Sequence, residues 1–402
     1  MKNIQKYKYI ILGAGPSGLT FANKLLQSGE KSFIVLEKES EAGGLCRSVL
    51  IDKAPLDIGG GHFLDVKRKN VLDFLFLFMP EKEWKLHKRK STIITKGLEI
   101  DYPFESNIWQ LPMEDQIDYL LSISKTESGK KQMPKKFIDW IYWKLGDKIA
   151  VDYMIPYNQK VWSMDLNKLG TYWLYKLPDV SLRETLFSCL LKKPAGKMPA
   201  HAQFLYPKKH GYGEVWKRMA TALEGHIVYN FDVNTINVST RTINKKYSSD
   251  IIINTIPWKE FSKSNIPSST VSLINKLVHS AVRVSYYKEN FNSDAHWTYL
   301  PDVKLPHHRI LNRRNFCKNS YGYWTEMNEK RSKIKYKPAQ WKHINNYAYP
   351  INTIQKPIEI KKILAFFQKK NIYGLGRWGE WEHMNSDVSV ERSIELFNKI
   401  HK

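Results

Sequence analysis

The chain has 402 residues, 42% of them hydrophobic and 13% aromatic, which is enough for two or three packed units with a sizeable buried core. Its formal net charge of +24 favours anionic partners such as nucleotides, diphosphates or acidic membrane surfaces. Because much of the excess is lysine in a chain that is also rich in Ile and Asn, and no basic and aromatic stripe appears, we expect no nucleic-acid binding.

The N-terminal part of the chain predicts a β-α-β unit. Residues 7–12 predict a buried parallel strand, and residues 16–28 have the periodicity of a helix. The apolar segment at 33–37 predicts the second strand. Strand, helix and strand in this order are typical of a parallel sheet.

The central part of the chain predicts a strand pair followed by helices. A helix is expected near 70–78, and residues 91–104 predict two strands that turn at Gly97. From 114 to about 176 the apolar residues recur with helical spacing, and residues 213–224 predict another helix.

The last part of the chain returns to strands before it closes on a helix. Short β-like runs at 226–254 are broken by turn residues, and four segments between 279 and 327 predict an antiparallel sheet. Residues 357–370 predict a helix, residues 371–376 a strand and residues 388–400 a closing helix.

A dinucleotide-binding fingerprint, GAGPSG at 13–18, lies directly between the first predicted strand and the first helix. Gly13 permits the tight turn, Gly15 lets the backbone approach a pyrophosphate, and Gly18 lets helix and strand pack closely. Glu37 ends the second strand, 19 positions after Gly18, where its carboxylate can accept a ribose hydroxyl and would repel the extra phosphate of NADP.

Two further glycine clusters narrow the expected dinucleotide to FAD. In the first, EAGGLCRS at 41–48, Gly44 lets the chain bend past the pyrophosphate and Arg47 can donate charge-assisted hydrogen bonds. The second cluster, DIGGGH at 57–62, is a glycine turn that ends in His62.

The glycine turn at 57–62 is expected beside the flavin ring. Gly60 and Gly61 permit a positive φ and a close approach of the backbone to a flat ring. His62 closes the turn at that place, so it is a candidate for proton transfer, although a histidine in a turn is more often structural.

The three cysteines, Cys46, Cys189 and Cys317, predict neither a disulfide framework nor a zinc site, because they are far apart and odd in number. No stretch reaches the length of a transmembrane helix, and the N-terminal apolar run is too short for a secretory signal. We therefore expect a cytoplasmic protein that holds no metal ion.

The predicted elements divide the chain into three parts of an α/β fold. They are a Rossmann-like FAD-binding domain, a helical insert and an antiparallel-sheet domain for the substrate. The FAD-binding domain is expected at 1–78, completed by about 204–265 and 345–402; the antiparallel-sheet domain at 79–104 and 266–344; and the helical insert at 105–203.

Six segments in order resemble the flavoproteins that include UDP-galactopyranose mutase, a group related to protoporphyrinogen oxidase and the amine oxidases. The resemblance covers nearly the whole chain. The segments are DYPFESNIWQLP at 101–112, IPYNQKVWSMDLNKL at 155–169, FLYPKKHGYGEVW at 204–216, HWTYLPD at 296–302, PHHRI at 306–310 and GLGRWGEWEHMNSD at 374–387.

The resemblance implies two sets of site residues, with His62 and Arg309 as the catalytic ones. Arg309 matches the arginine that grips the substrate diphosphate, unless the basic run around it is a solvated surface. FAD would be held by Gly13, Gly15, Gly18, Glu37, Gly44, Arg47, Gly60, Gly61, His62, Arg377 and Asn385. The nucleotide sugar would contact Tyr157, Asn158, Trp162, Lys176, Trp297, Tyr299, Arg309 and His383.

Three positions depart from the family pattern and leave the identity of the substrate open. Lys176 stands where the family has a second diphosphate arginine, and an ammonium gives a point charge without the bidentate geometry of arginine. His383 replaces a phosphate-contacting tyrosine, and Asn385 stands where some members have aspartate.

The resemblance implies an NDP-sugar pyranose–furanose mutase for surface glycan biosynthesis. In such an enzyme N5 of reduced FAD attacks the anomeric carbon and the nucleotide diphosphate leaves, without net redox change. NAD(P)H or another reductant would reduce the flavin, and a homodimer is compatible with the resemblance. Two alternatives stay open: an oxidase or dehydrogenase of the amine oxidase or protoporphyrinogen oxidase type, and a non-catalytic flavin-stabilised scaffold.

Overall fold

Strands and helices alternate along the parts of the chain that the computed structural model describes: residues 4–126, 132–174, 180–194, 196 and 202–401. The strands are β1 (Gln5–Leu12), β2 (Phe33–Leu36), β3 (Ser48–Ile51), β4 (Ala54–Asp57), β5 (Leu64–Asp65), β6 (Trp84–Lys88), β7 (Ser91–Thr95), β8 (Leu98–Asp101), β9 (Gln203–Pro207), β10 (Ile227–Val228), β11 (Ile236–Asn237), β12 (Thr242–Ile243), β13 (Tyr247–Asn254), β14 (His279–Tyr287), β15 (Trp297–Tyr299), β16 (Arg309–Asn312), β17 (Tyr323–Asn328), β18 (Trp341–Pro350) and β19 (Ile372–Gly374). The α-helices are α1 (Pro16–Gln27), α2 (Lys69–Phe76), α3 (Met113–Ser124), α4 (Phe137–Ile149), α5 (Ile155–Trp162), α6 (Leu182–Leu191), α7 (Gly213–Thr221), α8 (Ser268–Lys276), α9 (Arg313–Phe316), α10 (Lys356–Gln368), α11 (Gly376–Gly379) and α12 (Ser386–Ile400). None of these helices is both long and apolar enough to cross a membrane.

The predicted β-α-β unit forms the centre of a mainly parallel sheet. Its strand order is β10-β2-β1-β13-β12-β11, and β19 also pairs with β13. Leu12 is in register with both Leu36 and Asn254, so the carboxyl ends of three neighbouring strands meet at one edge. Ligands of open α/β sheets bind outside this edge, which is where the glycine fingerprint follows β1.

The second large sheet has the strand order β18-β14-β17-β16-β15-β7-β8. The segments predicted between 279 and 327 are confirmed as β14 to β17. The predicted end of this part at residue 344 is wrong, because β18 continues to Pro350 while it pairs with β14. The pairing of β14 with β18 continues on both sides of a register shift between Ser280 and Val282. Such a bulge is hard to recognise in a sequence.

A small three-stranded sheet with the order β5-β9-β6 was not predicted. The predicted division assigned residues 84–88 to the large antiparallel sheet, but they form β6 and pair with β9 instead. His87 on β6 stacks on Phe204 of β9, with 5.2 Å between the ring centres, so this aromatic packing joins the two strands. The predicted insert boundary at 203 therefore falls on the first residue of β9.

Helices α3 to α6 pack around an apolar core that also includes Ile93 of β7 and Ile100 of β8. Within the helical stretch predicted from 114, the described residues form α3, α4 and α5 as far as Trp162, whereas residues 163–174 form turns and a short 3-10 helix. Gly146 interrupts α4 with a φ of 76°, and a Cβ atom there would lie 2.7 Å from the carbonyl oxygen of Ser122. Residues 175–176, the predicted end of this stretch, lie outside the described residues.

Candidate active site

The glycine fingerprint forms a tight turn between β1 and α1. Gly13 has a φ of 95°, and a Cβ atom on Gly18 would lie 2.0 Å from the carbonyl oxygen of Gly13. Gly15 is different, because the atom nearest to its own added Cβ would be Gly44 Cα at 3.9 Å. The turn is therefore closed at Gly13 and Gly18 and open at Gly15, where a pyrophosphate can approach the backbone and the N-terminus of α1.

A cavity of about 280 Å³ opens in front of this turn. Glu37 lines it with a buried carboxylate that accepts hydrogen bonds from the backbone amides of Ala14 (2.6 Å) and Glu39 (2.9 Å). Ser386 and Ser389 of α12 also line the cavity, and Asn385 is the N-cap of that helix. The positive ends of α1 and α12 thus both face the cavity, which favours an anionic ligand.

Two arginines line the cavity with different partners. Arg377 donates to the carbonyl oxygens of Ala348 (2.9 Å) and Met384 (2.7 Å), and no carboxylate pairs with it within the described ranges. Its enclosed position lowers the pKa of the guanidinium, because burial disfavours the charge. Arg47 instead lies 3.5 Å from Glu39 and 3.6 Å from Glu41. Arg377 therefore supplies the less compensated positive charge.

The second glycine turn packs directly on a buried glutamate. Gly60 has a φ of 96°, and a Cβ atom there would lie 2.2 Å from Glu326 Oε1. The amide of Gly61 donates to the same oxygen at 3.0 Å. Only glycine fits at position 60, because a side chain would be strained in this conformation and would displace the carboxylate.

His62 follows this turn and lines the cavity. Its ring stacks on Tyr212 with 6.2 Å between the centres, and its Nδ1 atom is buried without a hydrogen-bond partner among the described residues. Burial and the nearby Arg377 guanidinium lower the pKa of His62 to about 4. The imidazole is therefore neutral at pH 7 and can accept a hydrogen bond there, whereas its protonation is disfavoured.

Arg309 lies in a buried ion pair with Glu326. One guanidinium nitrogen, Nη2, donates to both carboxylate oxygens at 2.7 and 2.5 Å, while Nε is buried without a partner within the described ranges. Burial alone would raise the pKa of Glu326, but Arg309 and His308 outweigh it and hold the pKa at about 2. His307, His308 and Arg313 are also buried, so the interpretation of this run as a solvated basic surface is wrong.

Aromatic side chains pack together where α5 of the helical insert meets β15 of the second large sheet. Tyr157 meets Tyr299 edge to face with 5.5 Å between the ring centres. The hydroxyl of Tyr299 accepts hydrogen bonds from Trp297 Nε1 at 2.8 Å and from Arg89 at 3.2 Å. The Arg89 guanidinium also lies 4.8 Å from the centre of the Trp297 ring. Tyr157, Trp297 and Tyr299, predicted from separate segments, thus lie together.

Asn158 and Trp162 are bonded to each other inside the insert. Both side chains are buried, and Trp162 Nε1 donates to Asn158 Oδ1 at 3.0 Å. His383 lies 6.5 Å from Trp162 and 4.9 Å from Tyr349, measured between ring centres. A direct contact of these residues with a substrate stays a prediction. Lys176 lies outside the described residues.

Three residues of the site were not predicted. Glu326 accepts hydrogen bonds from Arg309, and Arg89 donates one to Tyr299. The ring of Tyr349 faces Arg377, with 5.6 Å between the ring centre and the guanidinium carbon. Each lies on or beside a strand that pairs with a distant part of the chain, so the sequence order gave no signal of proximity. An acidic residue within an apolar strand, as in YWTEMN at 323–328, is the one available hint for Glu326.

Comparisons with known proteins agree with the motifs. The NAD(P)-binding Rossmann-like domain family matches residues 11–76. The UDP-galactopyranose mutase of Mycoplasma pneumoniae (strain ATCC 29342 / M129 / Subtype 1) is 25% identical over 190 residues, which cover 45% of this chain and 47% of that protein. The chain thus matches about half the length of this curated relative.

Solved structures extend the likeness to nearly the whole chain. A crystal structure of reduced UDP-galactopyranose mutase superimposes with a TM-score of 0.88 at 22% identity, over 98% of this chain and 93% of that one. A putative protoporphyrinogen oxidase from Exiguobacterium sp. 255-15 gives a TM-score of 0.73 at 13% identity, over 99% of both chains. The resemblance inferred from the motifs is confirmed, and the chain has the fold of UDP-galactopyranose mutase.

Proposed function

We propose that this chain is an FAD-dependent mutase that interconverts the pyranose and furanose forms of an NDP-sugar. One observation carries the proposal. The Glu326 carboxylate binds both Arg309, the predicted diphosphate ligand, and the amide of Gly61, in the turn that leads to His62. The predicted substrate arginine therefore lies beside the predicted flavin turn, so a sugar diphosphate bound by Arg309 would be held next to the flavin site.

The cavity fits a dinucleotide with a diphosphate at its centre. Two helix N-termini, the open backbone at Gly15 and the Arg377 guanidinium would all meet an anion there. Glu37 would accept a ribose hydroxyl, as in other dinucleotide sites. Reduced flavin in this cavity would supply a nucleophilic nitrogen for the anomeric carbon of the sugar.

The residues of the chain would bind and stabilise the departing diphosphate. The Arg309 side chain is 20% exposed and would bring its charge to a phosphate oxygen, while Glu326 fixes Nη2 of the guanidinium. Tyr157 and Tyr299 offer aromatic surface to the nucleotide or the sugar. The neutral imidazole of His62 would accept a hydrogen bond beside the flavin.

An oxidase of the protoporphyrinogen oxidase type is the competing interpretation. The higher TM-score to the mutase, 0.88 against 0.73, favours the mutase. The two differ in redox demand, since a mutase returns its electrons to the flavin in each cycle, whereas an oxidase passes them to oxygen. NAD(P)H or another reductant would start the mutase, and its furanose product would serve surface glycans.

Product formed per electron supplied separates the two functions. The reduced, FAD-loaded protein is incubated without oxygen with a panel of NDP-hexopyranoses, and the ring forms are separated by chromatography. We expect no isomerisation by the oxidised protein and many turnovers after a single reduction. Consumption of reductant or oxygen in proportion to product would contradict the mutase and favour the oxidase.

A further inference from the structure

Helix α6 turns its polar side chains inward and its apolar side chains outward. Thr185 and Ser188 are each 1% exposed, and the Ser188 hydroxyl donates to the carbonyl oxygen of Ser106 at 2.6 Å. Leu190 is 77% exposed and Leu191 56%. A helix on a protein surface ordinarily has the opposite arrangement, with apolar residues facing the core.

The outward residues form one continuous apolar face. Phe187, Leu190 and Leu191 are spaced three and four positions apart, so their side chains lie together on one side of the helix. Leu186 adjoins them. It is 40% exposed, and Phe187 is 44% exposed. Large apolar side chains grouped in this way mark a surface that another apolar body covers.

Cationic side chains border this apolar face at both ends of the helix. The Arg183 guanidinium carbon lies 5.1 Å from the centre of the Phe187 ring, in the first turn of the helix. Lys192 and Lys193 follow the last turn and are exposed. The acidic residue of the helix, Glu184, is bound in the N-terminal capping box with Ser181. The border of the face is therefore positively charged.

We propose that the outward face of α6 docks this protein on an anionic lipid surface. The face consists of Leu186, Phe187, Leu190 and Leu191 with Arg183, Lys192 and Lys193. Helices that lie in the plane of a membrane combine these features, because apolar side chains enter the acyl boundary while lysine and arginine meet the anionic head groups. The net charge of +24 adds long-range attraction to such a surface.

Charge separates a lipid surface from a second copy of the chain as the occupant. A two-fold contact between two α6 helices would bring Arg183, Lys192 and Lys193 of both copies together. Like charges that meet in an interface destabilise it, so self-association through this face is opposed by the same residues that attract an anionic membrane.

Vesicle sedimentation with the full FAD-loaded chain tests the proposal. We expect binding to vesicles that contain phosphatidylglycerol, weak or no binding to pure phosphatidylcholine, and release by high salt. The unaltered protein suffices for this comparison, so it does not depend on how any variant folds. Equal partitioning to both lipids, or none to either, would overturn the proposal.

Two variants locate the binding face. Phe187→Glu/Leu190→Glu and Lys192→Glu/Lys193→Glu are each expected to lower the partition coefficient about tenfold or more, because each places carboxylates against anionic head groups. The matched control is Ile358→Glu on α10, an exposed apolar residue beside Lys361 and Lys362, which should leave binding unchanged. An equal loss in the control would refute the assignment to α6. So would a dimer that the first variant converts to a monomer, since a second copy would then cover the face.

Discussion

Arg309 on β16 and Glu326 on β17 are directly opposite each other across the two antiparallel strands, and the guanidinium donates to both oxygens of the carboxylate. The carboxylate is fully buried, whereas the Arg309 side chain is 20% exposed. The pair therefore holds Nη2 of the guanidinium inside the sheet, while part of the Arg309 side chain stays accessible to solvent.

Replacing Arg309 should weaken nucleotide-sugar binding while FAD stays bound. We expect Arg309→Ala to lose about 2–4 kcal/mol of binding free energy, or tens to hundreds of fold in affinity for UDP or an NDP-sugar. Titration calorimetry on the FAD-loaded protein measures this directly. Arg314→Ala is the control, because Arg314 is exposed on α9, directly after the buried Arg313, and its loss should leave affinity unchanged. Equal effects of the two substitutions would indicate that Arg309 contributes only general positive charge and does not contact the diphosphate directly.

Removing the carboxylate should destabilise the fold, since it leaves a buried guanidinium uncompensated. Glu326→Leu is expected to lower the free energy of unfolding by about 3–5 kcal/mol. The double variant Arg309→Met/Glu326→Leu should recover part of this loss, because no charge is then left unpaired. Urea unfolding of all three proteins gives the comparison, and a double variant less stable than Glu326→Leu would contradict the expectation.

Acid should remove the contribution of Glu326 in a defined pH window. Its pKa is held at about 2 in the folded protein, below the value of about 4.3 for an unfolded chain. The carboxylate therefore stabilises the fold above about pH 4 and loses this effect as the pH falls towards 2. Unfolding free energies of the unaltered protein and of Glu326→Gln should converge over this range.

The turn beside Glu326 should not tolerate a side chain. Gly60→Ala would combine a strained positive φ with a Cβ atom 2.2 Å from Glu326 Oε1. We therefore expect it to lower the free energy of unfolding by about 2–4 kcal/mol. Gly97→Ala is the matched control, with a φ of 77° and no atom within 4 Å of the new Cβ. It carries the backbone strain alone, about 1 kcal/mol. Melting temperatures and FAD content would separate the two, and similar losses would argue against the clash.

FAD affinity should depend more on Arg377 than on Arg47. The hydrogen-bond partners of Arg377 within the described part of the chain are carbonyl oxygens, and no carboxylate compensates its charge for a pyrophosphate. Arg47 is already shared between Glu39 and Glu41. We expect Arg377→Met to weaken FAD binding by about 2–4 kcal/mol and Arg47→Ala by less than about 1 kcal/mol, as measured by flavin fluorescence titration. A larger loss of FAD affinity in Arg47→Ala than in Arg377→Met would contradict this expectation.

Glu105 should make the fold less stable as the pH rises. It is buried in the core of the helical insert, and burial raises its pKa to about 7. A folded-state pKa above the unfolded value favours folding at low pH, and this contribution disappears as the pH rises from about 4 through 7. Glu105→Gln should therefore flatten the pH dependence of the unfolding free energy, by an amount on the order of 3 kcal/mol between pH 4 and 8. An unchanged profile would place the charge in a better solvated environment.

The sequence predicts the parallel sheet and the glycine turns because both depend on residues close together in the chain. The alternating strands and helices, and the short spacings that end in Glu37 and His62, are local patterns. Glu326 and Tyr349 could not be predicted as site residues, because their neighbours are set by strand register and by the bulge opposite β14. Lys160 illustrates the same limit: it reads as a surface lysine, yet its buried ammonium donates to the carbonyl oxygens of Leu300 and Asp302.

The Gly61 amide and the Arg309 guanidinium share a single carboxylate, which would couple the proposed FAD and diphosphate sites energetically. A diphosphate that drew Arg309 towards it would change the hydrogen bonding of Glu326, and with it the free energy of the turn at Gly60 and Gly61. Linkage requires that whatever factor FAD adds to the affinity for UDP, UDP adds to the affinity for FAD. The affinity for FAD in the absence of nucleotide sugar would then depend on the hydrogen bonds of Glu326 as well as on the contacts in the cavity.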